Sequence, residues 1–340
     1  MKATFEDFGP CWDQSGVRGF FGEGYWFHDL WSLFGLDLRG STFVAKTTTL
    51  NPRKGNMELQ KYNGFGWRPL RWIPDCIVVK PMKGVVLNAV GLSGPGAEAL
   101  FNSYAWDSRT RPFMLSFMSV EPTHSERLKE AWGFAELLQR RRMYIRAKLG
   151  LQLNLSCPNV GASPKPEETF VKESIDLIEI LAVEDIPIFP KFSVTTSPTA
   201  VARISAHKAV GGVVVSNTVP WGALPGEIDW AGLFDVKLTC TEDGTVGLRS
   251  PLAHLGGGGL SGAPLLPLTA DWVRAYKLFG GQAKVAAGGG ILCEKDVDTL
   301  HKAGADAICV GSAAILRPWR VGAIVRRAHI LFGHKESPQC

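Results

Sequence analysis

Residues 186–217 read IPIFPKFSVTTSPTAVARISAHKAVGGVVVSN, and this stretch decides the fold. Two apolar runs, 186–192 and 211–217, flank a helical segment at 198–209. Ser197 is placed to cap that helix, and Pro198 suits its first position, where no backbone N–H is needed. Neither run alternates apolar with polar, as expected of parallel strands buried on both faces. Parallel neighbours need a crossover, so strand, helix and strand form one βαβ unit. Working outward, the same reading finds strands at 42–48, 85–90, 113–118, 151–156, 283–288 and 306–311. Helical patterns lie near 95–106, 124–148, 167–183, 269–279, 294–303 and 319–332, with Thr123 and Glu126 in capping-box spacing. Eight strands alternating with helices predict an α/β fold, the TIM (β/α)8 barrel. Two stretches stand outside the repeat: a lead segment, 1–41, and a long insertion at 218–268 between the sixth and seventh strands. The whole of 1–340 then reads as a single barrel domain.

Composition narrows the class. Lys and Arg number 37 against 32 Asp and Glu, a net charge of +5, too small an excess to argue for nucleic acid. Hydrophobic residues at 45% exclude an extensively disordered chain. The start, MKATFEDFGPCWDQSG, has no secretory pattern, and no apolar run is long enough to span a membrane. The seven cysteines are odd in number, widely spaced and without a Cys-x-x-Cys pair, which fits reduced cytoplasmic thiols and no metal site. Arg140, Arg141 and Arg142 fall late in a predicted helix, where they complement its dipole. Glycine is in excess, 38 in 340 residues, or about 11% against a usual ~7%.

In this fold chemistry sits at the C-terminal ends of the strands. Those ends carry Lys46-Thr47, Asn88, Ser116, Asn154 with Cys157, Lys191, Asn217-Thr218, Gly289-Gly290 and Gly311-Ser312. One asparagine closing a strand is ordinarily a turn former. Lysines and asparagines together on one rim suit a polar heterocycle bearing a carboxylate. The glycines cluster as GGGGLSG at 256–262 and GGGI at 288–291, and backbone freed of Cβ can approach a phosphate closely. The loops after the last two strands are a usual phosphate site in barrels. Pro158 and Asn159 break the strand right after Cys157, so its thiol is expected over the active face, unlike a core filler such as Cys76 or Cys309.

Asn154-Leu155-Ser156-Cys157-Pro158-Asn159, with Lys46-Thr47-Thr48-Thr49-Leu50 upstream and Gly-Gly-Leu-Ser-Gly at 258–262, resembles the dihydroorotate dehydrogenase family from about Ser15 to Leu316. Cysteine at 157 is similar to the soluble branch; membrane-associated members carry serine there. The resemblance implies FMN in the barrel and oxidation of (S)-dihydroorotate to orotate in pyrimidine (UMP) biosynthesis. Cys157 would take the C5 proton while hydride passes to flavin N5, with Lys191 beside the flavin. Lys46, Asn88, Gly91, Leu92, Asn154, Asn159, Asn217 and Thr218 would hold the substrate. Ser15, Gly16, Lys46, Thr47, Asn154, Lys191, Ser216, Gly262, Gly289, Gly290, Gly311 and Ser312 would line FMN.

The chain departs from the family pattern at Gln14, where alanine is usual, at Ala287, where glycine is usual, and in the loop after Asn159. The electron acceptor therefore stays open among fumarate, NAD through a partner subunit, quinone and oxygen, as does a homo-oligomeric state. The aromatic stretch 20–31, FFGEGYWFHDLW, is open to three placements: packed under the barrel, over the flavin, or at a membrane surface. Its interruption by Gly22, Glu23, Gly24 and Asp29 favours packing. Three other readings compete: a flavin barrel of the dihydropyrimidine dehydrogenase type, an aldolase-type barrel forming a Schiff base on Lys191, and a flavin-binding barrel without turnover, against which an intact Cys157 argues.

Overall fold

The strand runs that are apolar on both faces converge on one parallel sheet. The computed structural model describes residues 3–155, 166–240 and 246–333. The first half of the chain carries β1 (Cys11–Asp13), α1 (Trp26–Ser32), β2 (Phe43–Val44), β3 (Leu59–Tyr62), β4 (Gly66–Pro69), β5 (Ile77–Lys80), β6 (Val85–Asn88), α2 (Ala97–Phe101), β7 (Phe113–Phe117), α3 (His124–Arg142) and β8 (Leu149–Asn154). Then follow α4 (Glu167–Leu181), β9 (Ile188–Ser193), α5 (Pro198–Ser205), β10 (Val213–Asn217), β11 (Val219–Pro220), α6 (Trp230–Phe234), β12 (Leu238–Cys240), β13 (Val246–Leu248) and β14 (Gly259–Gly262). The last quarter holds α7 (Leu265–Leu278), β15 (Val285–Gly288), α8 (Glu294–Lys302), β16 (Ala307–Val310), α9 (Ala313–Leu316) and α10 (Val321–Phe332).

The main sheet has eight strands in the order β1-β16-β15-β10-β9-β8-β7-β2, all its pairs parallel. It closes through a parallel bridge between Trp12 and Thr42, with Thr42 N–H donating to the Cys11 carbonyl (2.8 Å) and Asp13 N–H to the Thr42 carbonyl (2.9 Å). This is the TIM barrel. Strand residues alternate between two cores. Val44, Met114, Phe189, Val214, Ala286 and Ala307 pack inside with Phe5, Phe8 and Trp12. Phe43, Leu115, Leu151, Phe192, Val215 and Ile308 pack outward against the helices.

The local signals act as their chemistry predicts. Thr123 Oγ1 accepts from Glu126 N–H (3.3 Å) while the Glu126 carboxylate accepts from Thr123 N–H (3.2 Å), closing the capping box of α3. Ser197 Oγ accepts from Ala200 N–H (3.4 Å) to start α5.

One strand assignment is corrected. Residues 85–90 do not enter the barrel: β6 pairs antiparallel with β5 and β14 in a four-stranded sheet, β11-β14-β6-β5. Its apolar run has another cause. Val85, Leu87 and Ala89 pack on a separate cluster with Trp230, Phe234 and Leu260, while Val86 and Asn88 line the cleft described below. The barrel position is taken by β1, which lies inside the lead segment. Its sequence, Cys-Trp-Asp, is too short and too charged to register as a strand, yet Asp13 is buried and neutralised on the spot. Arg18 Nε bonds its carboxylate at 2.5 Å and Ser41 Oγ at 2.7 Å. A second long excursion, between β2 and β7, holds the hairpin β3–β4 together with β5 and β6.

Candidate functional site

The C-terminal ends of the barrel strands open into a cleft of about 290 Å³. Its floor and rim bring together Ser15, Gly16, Lys46, Thr47, Asn154, Lys191, Ser216, Asn217, Thr218, Gly289, Gly311 and Ser312. Asn88, Gly91 and Leu92 reach the same cleft from the antiparallel sheet and the turn after it, not from a barrel strand. Gly262 and Gly290 stand behind the lining, where a Cβ on Gly290 would lie 3.0 Å from the Gly262 carbonyl and 2.5 Å from Leu266 N. Cys157 and Asn159 lie outside the described residues.

The polar groups of the cleft are held in place. Asn217 Nδ2 donates to Asn154 Oδ1 (2.9 Å), and Asn217 Oδ1 accepts from Thr218 N–H (3.0 Å). With its oxygen turned to Asn217, the Asn154 amide presents its NH₂ as a donor. Lys46 Nζ donates to the Ser93 carbonyl at 2.6 Å and lies 5.1 Å from the centre of the Phe20 ring. Ser93 Oγ in turn receives Met57 N–H (3.0 Å), tying the strand end of Lys46 to the turn that follows Leu92. Ser15, Thr47 and Ser116 form a hydroxyl chain, with contacts of 3.1 and 2.8 Å. Lys191 is buried next to Cys309 on the floor; burial pushes the Cys309 thiol up to about 12, and the lysine's charge opposes that rise. At neutral pH this thiol is protonated and is no nucleophile.

Glycine backbone lines part of the cleft and stands behind it. Gly289 and Gly290 hold φ of +109° and +81°, which side-chain-bearing residues rarely adopt. Gly311 and Ser312 lead into the short helix α9, their carbonyls accepting from Ala314 N–H (3.0 Å) and Ile315 N–H (3.1 Å). Gln14 packs against the same strand ends: its Nε2 donates to the Ser216 carbonyl (3.3 Å), and a Cβ on Gly311 would lie 3.0 Å from its Cγ. The rest of the lining is cationic and rich in amides. A phosphate against the glycine backbone and a polar heterocycle against the amides and lysines fit this donor set, so the residues present suit FMN.

The aromatic wall is what sequence reasoning failed to place. Tyr25, Trp26, Phe27 and His28 line the cleft mouth, facing Pro69, Trp72 and Pro74 from the second excursion. Residues 25–28 of the stretch thus border the cleft while Phe20 and Phe21 pack with Trp106 in the core; the segment beneath the barrel is the 3₁₀ turn Phe5–Phe8. Tyr25 Oη donates to the Gly16 carbonyl (2.6 Å), anchoring the wall to the loop that carries Ser15. His28 accepts from Tyr25 N–H at Nδ1 (3.4 Å), and burial pulls its pKa down to about 4, so the ring is neutral. The aromatic composition was the available signal, but nothing local to it reports which end of the barrel it meets.

No protein-family model matches the chain, and no curated protein matches it. Solved structures do, among them two from Eimeria tenella. The crystal structure of DHODH from Eimeria tenella in complex with ferulenol is 17% identical, covers 84% of this chain and 73% of its own, and has a TM-score of 0.55. The ligand-free crystal structure of DHODH from Eimeria tenella is 18% identical, covers 86% and 76%, and has a TM-score of 0.56. At such identity the likeness is one of fold. No helix among the described residues is long and apolar enough to cross a membrane, and no cluster of His, Cys, Asp and Glu among them suits a metal ion.

Proposed function

We propose that this chain is an FMN-dependent oxidoreductase that converts (S)-dihydroorotate to orotate. The observation that carries the reading is the convergence of Lys46, Asn88, Asn154, Lys191 and Asn217 on one cleft lined in part by glycine backbone. The fold shared with the two DHODH structures supports it.

On this reading Gly289, Gly290, Gly311 and Ser312 hold the phosphate of FMN, and Ser15, Gly16, Thr47 and Ser216 line the rest of it. FMN, when bound, would supply the hydride acceptor for C6 of the substrate. Lys191 keeps a positive charge beside the flavin, favouring the anionic reduced form. The linked amides of Asn154 and Asn217, with Asn88, Thr218 and Asn159, pair with the polar edges of the pyrimidine. Their mutual hydrogen bond fixes these donors before substrate arrives, so binding costs little reorganisation. Lys46 meets the substrate from a site already anchored on Ser93, while Gly91 and Leu92 face its carboxylate. Cys157 takes the C5 proton. An aldolase-type reading would use Lys191 alone and leave the amides without a task.

The test is anaerobic reduction of the purified, flavin-loaded protein by dihydroorotate. Bleaching of the flavin is expected, and Cys157→Ala should slow it ~10²–10⁴-fold, the usual worth of a general base. Protein that takes up no FMN, or is not bleached by dihydroorotate, would overturn the reading.

A further inference from the structure

Past β6 the chain makes a turn, residues 89–94, whose conformation needs support. Gly91 and Leu92 hold φ of +69° and +59°, and for leucine this left-handed region is uncommon and costs energy. Such a conformation persists where neighbouring groups impose it. Segment 53–57 does so here. Asn56 Nδ2 donates to the Ala89 carbonyl (2.7 Å), Asn56 N–H to the Val90 carbonyl (2.9 Å) and Arg53 Nε to the Gly91 carbonyl (2.9 Å). Lys46 Nζ takes the Ser93 carbonyl (2.6 Å) and Arg53 N–H the Gly94 carbonyl (2.9 Å). The turn's acceptors are thus occupied, whereas the N–H groups of Gly91, Leu92 and Ser93 donate to no group among the described residues. Successive N–H groups left over along a turn favour an anion. Gly91, Leu92 and Lys46 all line the cleft.

Ser93 stands where these pieces meet. It is 1% exposed and does not line the cleft itself. Its Oγ donates to the Val90 carbonyl (3.1 Å), a bridge that spans Gly91 and Leu92, and accepts from Met57 N–H (3.0 Å). Gly55 leaves room for this approach, since a Cβ there would lie 2.3 Å from Ser93 Oγ. The same residue therefore closes the turn through its hydroxyl and holds the Lys46 ammonium through its carbonyl. An alanine at 93 would keep the carbonyl for Lys46. It would remove the bridge and leave a buried Met57 N–H without its acceptor, a loss that falls on the turn.

We infer that Ser93 is a positioning residue for the substrate carboxylate, fixing the Gly91–Leu92 turn and the Lys46 ammonium in one relation to each other. The inference rests on the proposed reading of the cleft and adds a residue that acts on binding and not on the redox step. Titration of the flavin-loaded protein with orotate, followed by flavin absorbance, tests it together with stopped-flow reduction by dihydroorotate. Ser93→Ala should weaken both ligands about tenfold, the worth of one or two net hydrogen bonds. The limiting rate of flavin reduction should move by less than about twofold, because the lost interaction is made equally in ground and transition states. FMN affinity should not change. Uracil, the same ring without the carboxylate, should bind wild type and variant alike, which a merely structural role of Ser93 would not allow. Unchanged orotate affinity in the variant, or a loss for uracil as large as for orotate, would overturn the inference and leave the proposed function standing. Wild-type protein that takes up FMN but binds neither orotate nor dihydroorotate would overturn the proposed function and the inference with it. If Ser93→Ala does not fold, Ser93→Cys replaces the hydroxyl by a weaker donor and acceptor and should show a smaller loss of the same kind; unchanged orotate affinity in that variant overturns the inference equally.

Discussion

The barrel interior has two storeys, and they are built from opposite materials. The lower one is aromatic. Phe5, Phe8, Trp12 and Phe189 pack ring against ring, with centres 4.9 to 6.3 Å apart, and the Trp12 indole N–H is satisfied by the Gly9 carbonyl at 2.8 Å. Gly150 belongs to this packing, since a Cβ there would lie 2.9 Å from both Phe8 and Phe189. Two residues further along the same strands, or just past their ends, the lining turns polar at Gln14, Lys46, Ser116, Gln152 and Lys191, with Asn154 two beyond Gln152. The lower storey supplies the burial free energy that closes the ring. The upper storey spends burial on amides and ammonium groups that stabilise nothing by themselves, and this is the storey on which the cleft stands.

That contrast can be broken at its lower end. Phe189 is fully buried and touches Phe5, Phe8 and Trp12. Phe189→Ala should cost about 3–5 kcal/mol, the range for deleting a buried aromatic, in chemical denaturation. Flavin affinity of the fraction that stays folded should hardly change. A loss of flavin affinity as large as the loss of stability would mean the two storeys are not separate in function.

The cleft wall provides the next largest effect. His28 has its pKa pulled from 6.5 to about 4, by burial first, with Arg68 and Arg18 adding to it and Asp29 opposing. A base whose folded pKa is lowered binds its proton more readily when unfolded. Stability is therefore complete above pH 6.5, falls as pH drops from there towards 4, and levels off below. Up to about 3 kcal/mol is at stake. His28→Gln should flatten that part of the stability–pH curve. A curve unchanged by the substitution would place the acid sensitivity elsewhere.

Much of this was legible in the sequence because it rests on local chemistry. The βαβ signal of 186–217 became β9, α5 and β10, the capping box at Thr123 and the N-cap at Ser197 formed where their residues stand, and Lys46, Thr47, Asn154, Lys191, Asn217, Thr218, Gly289, Gly311 and Ser312 line one cleft. The failures come from interactions that are not local. β1 is a strand because Thr42 and Arg18 complete it, neither of which its three residues announce. The run at 85–90 looked like a barrel strand because a second apolar cluster buries it as fully as a barrel would. Asn88 thus lines the cleft, but from a strand outside the barrel.

The smallest effect probes the upper storey directly. Gln152 is fully buried on β8, in register with Ser116 and Phe189, and neither its Oε1 nor its Nε2 has a hydrogen-bond partner among the described residues. An amide desolvated without partners costs about 1–3 kcal/mol. Methionine has a similar length and no such cost, so Gln152→Met should raise stability by about 1 kcal/mol, or about 1–3 °C in Tm for a chain of this size. The sign is the informative part. A polar group kept where an apolar one is more stable is kept for what stands above it, and the flavin affinity of the variant then reports how much Gln152 contributes to the cleft. A fall in stability would instead show that the amide is satisfied in solution, by a buried water bridging it to its polar neighbours. The upper storey would then be a connected network that holds itself together, and its difference from the aromatic storey would be one of chemistry alone.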